Sequence, residues 1–195
     1  WRDDDTHREV RELGGETLLI IGTGEIGSQL ASRAAAFDMR VEGVRRRAQA
    51  DTPPNFDRIW STDDLGNALS GADHVVVTLP STPETRGLLD ASAFAACKAG
   101  ALIYNVGRGA VIDTDALVAA LQSGHLGGAG LDVTEPEPLP ADSPLWDLEN
   151  VLITSHTSGA SPRYWERQEA LLAENLARFQ DGRPLRNLVD FDHAY

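Results

Sequence analysis

The 195-residue chain is poor in several residue types that would otherwise suggest a class. It has one cysteine, Cys97, one methionine, Met39, and one lysine, Lys98. A lone cysteine excludes an intramolecular disulfide and suits a reducing compartment. No apolar run is long enough to span a bilayer and no signal peptide opens the chain, so the expected location is the cytoplasm. Position 1 is Trp and not Met; the expectation is a fragment of a longer protein. Positive charge is also scarce: 17 basic residues face 30 acidic ones, for a formal net charge of -13. That balance repels nucleic acid and anionic membranes, so neither is expected as a partner. All basic residues except Lys98 are Arg, which fits GC-rich coding. The acidic excess also fits a halophile, whose carboxylate-rich surface stays hydrated in high salt. No metal-ligating set is expected, and there is no internal repeat or low-complexity tract.

What is present is an alternation of short apolar runs and helical periods. Residues 17–21, 41–44, 58–60, 74–79, 101–106, 128–133 and 151–154 read as strands. The run H-V-V-V-T-L at 74–79 has four β-branched residues in succession, the mark of a strand buried on both faces. Residues 26–37, 63–72, 90–97, 114–122 and 163–180 read as helices. The first would place Ile26, Leu30, Ala34 and Phe37 on one face. The fourth would be capped by Asp113 or Thr114 and followed by Gly124. Strands alternating with helices predict an α/β fold with a doubly wound parallel sheet of Rossmann type. The expected organisation is a linker at 1–15, a dinucleotide-binding domain at 16–160, and a returning helix and tail at 161–195.

Directly after the first strand comes Gly22-Thr-Gly24-Glu-Ile-Gly27, a G-x-G-x-x-G that opens a helix. The first Gly allows the tight turn, the second lets backbone approach a pyrophosphate, and the third permits close helix–strand packing. The helix N-terminus then presents free N–H groups to the negative charge. An acidic residue at the end of the second strand would bond the adenosine ribose and repel a 2′-phosphate. Here Arg45-Arg46-Arg47 stands there, and Glu42 lies earlier inside the strand. The prediction is preference for NADP(H), with NAD(H) as the second cofactor.

Further along lie N-V-G-R-G (105–109), G-L-D-V-T-E-P-E-P-L-P (130–140) and T-S-H-T-S-G (154–159). With L-P-S-T-P-E-T-R-G-L-L, S-P-L-W and the glycine fingerprint they stand in the order found in the D-2-hydroxyacid dehydrogenase family, which the chain resembles over residues 13 to 190. The resemblance implies that Arg108 binds the substrate carboxylate and carbonyl oxygen, a job for a planar fork. It implies that His156 is the general acid/base and that Glu137 is the carboxylate that keeps its imidazole charged. Glu135, two residues away, remains an alternative to Glu137. Asp132 would contact the nicotinamide end, and Glu25 and Ile26 would lie at the pyrophosphate. Thr78, Leu79, Pro80, Val106 and Gly107 would line the cleft, and Gly159 would lie near the carboxamide. His7, His74, His125 and His193 read as structural or exposed. Trp146 reads as a packing anchor, and Trp165 could face the substrate or a partner subunit.

The resemblance implies a longer protein with a flavodoxin-like substrate domain, and residues 1–195 are expected to lie largely outside that domain. The implied activity is reversible hydride transfer between NADP(H) and a 2-oxoacid or D-2-hydroxyacid, of glyoxylate or hydroxypyruvate type or broader. A homodimer through the dinucleotide-binding domain is expected, and the isolated chain should be weakly active or inactive. Without the covering domain, Leu171, Leu172, Leu176 and Phe179 of the last helix should be exposed. The competing readings are a relative acting on formate, phosphite or 3-phosphoglycerate, a non-catalytic dinucleotide-sensing or corepressor-like module, and a methyltransferase-like Rossmann domain.

Overall fold

Seven apolar runs pair in parallel into one sheet of order β3-β2-β1-β4-β5-β6-β7 in a computed structural model that describes residues 11–46 and 51–189. The strands are β1 (Thr17–Ile21), β2 (Arg40–Arg45), β3 (Arg58–Ser61), β4 (His74–Val77), β5 (Leu102–Asn105), β6 (Gly128–Leu131) and β7 (Val151–Ile153). Between them run α1 (Glu25–Ala35), α2 (Leu65–Ser70), α3 (Ala91–Ala96) and α4 (Thr114–Gln122). The chain divides into two compact units, Trp1–Ser155 and His156–Tyr195. The sheet belongs to the first; α5 (Tyr164–Gln180) belongs to the second.

Alternation along β1 shows why the sheet is doubly wound. Leu19 and Ile21 join one core cluster with Val75, Val77 and Ile103, against Leu69 of α2, Phe94 of α3 and Leu117 of α4. Leu18 and Ile20 point the other way, into a second cluster with Val41, Val76 and the α1 residues Ala31 and Ala34. A strand flanked by apolar layers reads as a near-continuous apolar run, as β1 and β4 do after their first residues, Thr17 and His74. The Rossmann-type α/β fold expected from the sequence is the one observed.

Three local expectations need correction. In α1 the buried side is Gly27, Ala31 and Ala34; Ile26 and Phe37 are 59% and 62% exposed. The helix seats closely on small residues, and of the expected face Ala34 is buried and Leu30 partly buried against the core while Ile26 and Phe37 are not. A Cβ on Gly27 would come within 2.1 Å of the Gly22 carbonyl oxygen. The helix expected at 63–72 is a 3-10 turn at Thr62–Asp64 followed by the short α2. Trp146 is 52% exposed, and the buried residue of its S-P-L-W turn is Leu145. The indole N–H of Trp146 donates to the Pro140 carbonyl at 2.8 Å, so it fastens a loop and fills no core. Helix α4 has the predicted bounds, with Asp113 as its cap: the Asp113 carboxylate accepts from Ala116 N–H at 3.1 Å.

In the second unit, α5 is stabilised along its surface by Arg178–Glu174 (2.9 Å) and Arg186–Glu174 (2.7 Å) ion pairs. The Asn175 side chain accepts from Arg186 N–H and donates to its carbonyl, holding the tail against the helix. Trp165, Leu172, Leu176 and Phe179 are all more than half exposed, and Leu171 is half-buried. Among the described residues no helix is long and apolar enough to cross a membrane.

Candidate active site

The strand order sets the location. β1 pairs with β2 on one side and with β4 on the other, so the loops leaving their C-terminal ends diverge and open a crevice at the topological switch point. Each exit is hooked to its neighbour strand. Gly22 N–H donates to the Val44 carbonyl (3.0 Å), Thr78 N–H to Ile21 (2.9 Å), Val106 N–H to Val77 (3.2 Å) and Asp132 N–H to Asn105 (3.0 Å). This places the fingerprint, Thr78, Val106 and Asp132 in a row along one edge.

The glycines perform distinct jobs there. Gly22 has φ +110°, and a Cβ on it would lie 2.8 Å from Thr78 Oγ1. Thr78 Oγ1 donates to the Gly22 carbonyl at 2.7 Å, pinning the turn. Gly27 is sealed against Gly22, as described above. Gly24 is different: a Cβ there would meet nothing within 4 Å. It is the N-cap of α1, so the first-turn N–H groups start beside that open space. Such a cradle fits an anionic pyrophosphate. Glu25 and Ile26 are exposed at this same rim. Leu79 packs against Gly22, and its carbonyl lies 2.6 Å from where a Gly107 Cβ would stand, so Leu79 and Gly107 form a close-packed wall.

Arg45 ends β2 beside this cradle. Its Nη2 donates to the Asp51 carbonyl at 3.0 Å, and Arg46 is exposed. Glu42 is buried within β2 and accepts from Trp60 Nε1 (2.6 Å) and Arg40 Nε (2.9 Å). It is committed to the sheet, and no acid stands at the strand end.

Arg108 sits on a turn built from inside. Asn105 is fully buried. Its Oδ1 accepts from Gly107 N–H and its Nδ2 donates to the Arg108 carbonyl, both at 3.0 Å. Arg108 Nη1 donates to the Gly107 carbonyl at 2.7 Å, and the side chain is exposed. On the far side of the turn, a Cβ on Gly109 would clash with the Thr134 carbonyl at 2.0 Å. That contact presses the loop bearing Glu135 and Glu137 against the Arg108 turn. Glu135 faces Arg86 at 3.5 Å, whereas Glu137 is exposed further along the loop. Asp132 is buried and accepts from Thr154 Oγ1 at 2.5 Å. His156 and Gly159 belong to the second unit; His156 is exposed and has φ +55°, a left-handed conformation rare for a residue with a side chain and frequent at functional positions.

The remaining candidates are structural. His74 is buried, with Nε2 2.5 Å from Glu16 Oε2 and Nδ1 3.1 Å from the Tyr104 hydroxyl. His125 Nε2 meets the Phe94 carbonyl at 3.0 Å. Burial pushes the Cys97 thiol up to about 11, which excludes it as a nucleophile near neutral pH. His7 and His193 lie outside the described residues. Asn105 and Thr154 are the residues that motif reading passed over: both lie inside quoted motifs, but only the folded turn reveals what their polar atoms hold.

Glycine cradle, Arg turn and strand order define a dinucleotide-binding domain with an exposed arginine at its rim. The family description "D-isomer specific 2-hydroxyacid dehydrogenase, NAD binding domain" matches residues 1–158, and the chain belongs to that family. It is 39% identical over 191 residues to glyoxylate/hydroxypyruvate reductase B of Citrobacter koseri, covering 97% of this chain and 56% of that one. Among solved structures it resembles a D-isomer specific 2-hydroxyacid dehydrogenase from Xanthobacter autotrophicus Py2 in complex with NADPH and MES. The TM-score is 0.88 and the identity 37%, covering 96% of this chain and 76% of that one. The NADPH-dependent glyoxylate/hydroxypyruvate reductase from Sinorhizobium meliloti, in complex with NADP and sulfate, gives a TM-score of 0.88 at 32% identity. That match covers 100% of this chain and 60% of the other. The chain thus spans a little over half the length of the reductase relatives it matches.

Proposed function

We propose that the protein containing this chain reduces 2-oxoacids of the glyoxylate or hydroxypyruvate type with NADPH. The observation that carries this reading is the pairing of an open glycine cradle at Gly24 with a β2 end that bears Arg45 and Arg46 and no free carboxylate. Both reductase relatives described above are named for these substrates, and both solved structures described above are complexes with NADP or NADPH.

The dinucleotide would supply the hydride. Gly22, Gly24, Glu25, Ile26 and Gly27 would hold its pyrophosphate, with Arg45 and Arg46 at the 2′-phosphate. Thr78, Leu79, Pro80, Val106 and Gly107 would line its cleft, with Asp132 and Gly159 at the nicotinamide end. The chain's own side chains do the rest. The Arg108 fork holds the substrate carboxylate and polarises its carbonyl. This reading gives His156 the role of proton donor to the carbonyl oxygen as the adjacent carbon is reduced, and Glu137 the role of its partner carboxylate. A homodimer through the sheet-bearing unit belongs to the same reading and is checked by light scattering.

The test is a full-length assay with glyoxylate, hydroxypyruvate and bulkier 2-oxoacids, each with NADPH and NADH. NADPH should give at least tenfold higher kcat/KM; equal efficiency with NADH would overturn the cofactor assignment. Arg108→Gln should lose most activity while leaving NADPH affinity near normal.

A further inference from the structure

Arg45 and Arg46 are adjacent in sequence and alike in chemistry, yet the fold treats them differently. Arg45 is the last residue of β2, paired in register with Ser61 of β3, one residue beyond the Val44 carbonyl that receives Gly22 N–H. Its guanidinium is half-buried. Nη2 is spent on the Asp51 carbonyl, six residues onward. Nε has no solvent exposure and no partner among the described residues. Nε is therefore closed to an arriving anion, and one of the two Nη2 N–H groups is already engaged. A buried N–H left without a partner is unfavourable, so the side chain is held in this pose by its other contacts, chiefly the Asp51 carbonyl. Arg46 follows outside the strand and is exposed.

We propose that Arg45 is a positioning residue: its guanidinium ties Asp51 back to the end of β2, and this tie sets the backbone from which Arg46 presents its charge to the cofactor's 2′-phosphate. The proposal rests on the NADP(H) reading above and divides the labour within it. Charge at position 46 supplies the contact; fork geometry at position 45 supplies the frame. A lysine carries the same charge as arginine but lacks the planar fork and reaches differently, so the two positions respond oppositely to the same conservative change.

The experiment is a fluorescence titration of the chain with NADPH and with NADH at two salt concentrations, for wild type, Arg45→Lys, Arg45→Met, Arg46→Lys and Arg46→Met. Backbone amide exchange at Arg46 and Asp51 is read alongside. Arg46→Met should weaken NADPH at least tenfold, leave NADH unchanged, flatten the salt dependence and leave exchange at Asp51 as in wild type. Arg46→Lys should recover most of the loss. Arg45→Lys should fail to recover: NADPH selectivity should fall several-fold, as in Arg45→Met, with faster exchange at Arg46 and Asp51 and unchanged NADH affinity. If Arg45→Lys matches wild type in selectivity and exchange, Arg45 contributes only charge and the proposal is overturned. If wild type binds NADPH and NADH equally, the cofactor reading falls; the exchange data on the Arg45 variants then still decide whether the tie to Asp51 exists.

Discussion

The Arg108 turn shows how a reactive side chain on a surface loop is made rigid by a residue that never reaches the surface. Asn105 grips the turn at both ends, through Gly107 N–H and the Arg108 carbonyl. Asn105→Ala would leave the Gly107 donor buried without its partner and should destabilise the domain by about 1–3 kcal/mol, measured by urea unfolding. In the full-length enzyme the displaced Arg108 should lower kcat by up to about a hundredfold, the usual scale for a misplacement near 1 Å. A wild-type kcat in that variant would show that the turn holds itself. Gly27→Ala tests the cradle: the new methyl meets the Gly22 backbone and cannot be relieved by a rotamer change. NADPH affinity should drop at least tenfold, and stability should fall by about 1–3 kcal/mol, as overpacking does. The glycines, Arg108 and the absence of a carboxylate at the β2 end could be read from the chain because their chemistry is local. The roles of Asn105, Thr154 and the Arg45 tie could not, since each depends on which distant or folded-back partner its polar atoms find.

At the scale of elements, the sheet is anchored at the end opposite the cleft. The turn before β1 and the entrances of β4 and β5 meet in a polar cluster: Arg11 to Glu16 (2.9 Å), Glu16 to His74, His74 to Tyr104, and Asp73 to Lys98 (2.5 Å). The Asp73 carboxylate also accepts from Thr17 N–H at 3.0 Å, bonding β1 to β4 where they start. Burial pushes both carboxyls up, but the hydrogen bonds from Arg11 and His74 to Glu16, and from Lys98 and Thr17 to Asp73, outweigh it, so both lie below their ordinary values. A carboxyl depressed in the folded state contributes stability above its unfolded value and loses it as pH falls toward the folded one. Thermal stability should therefore decline below about pH 4, the range of free carboxyls, and Asp73→Asn should shallow that decline while lowering stability at pH 7. An identical acid slope in the variant would remove Asp73 from the account. Strand and helix identities followed from apolar period at nearly every element. The face of α1 did not, because a two-residue choice between Ile26/Phe37 and Gly27/Ala31 turns on how closely the helix seats, which periodicity does not record.

For the whole molecule the governing quantity is the net charge of -13. Self-repulsion of that size is screened by salt, with a Debye length near 10 Å at about 0.1 M. The melting temperature should rise by several degrees between 50 mM and molar KCl, and a flat response would show that self-repulsion does not govern stability. Every strand pairing in the sheet is parallel, and this has a consequence in time. No pairing can be closed by a hairpin, and the central one joins Leu18 to His74 across more than fifty residues. At a synthesis rate of about 5–20 residues per second, β1 leaves the ribosome several seconds, roughly 3–10 s, before β4 exists to cover its second edge. Throughout that interval the T-L-L-I-I run has at most one strand neighbour, and the acidic segments around it supply the repulsion that opposes pairing with another nascent copy.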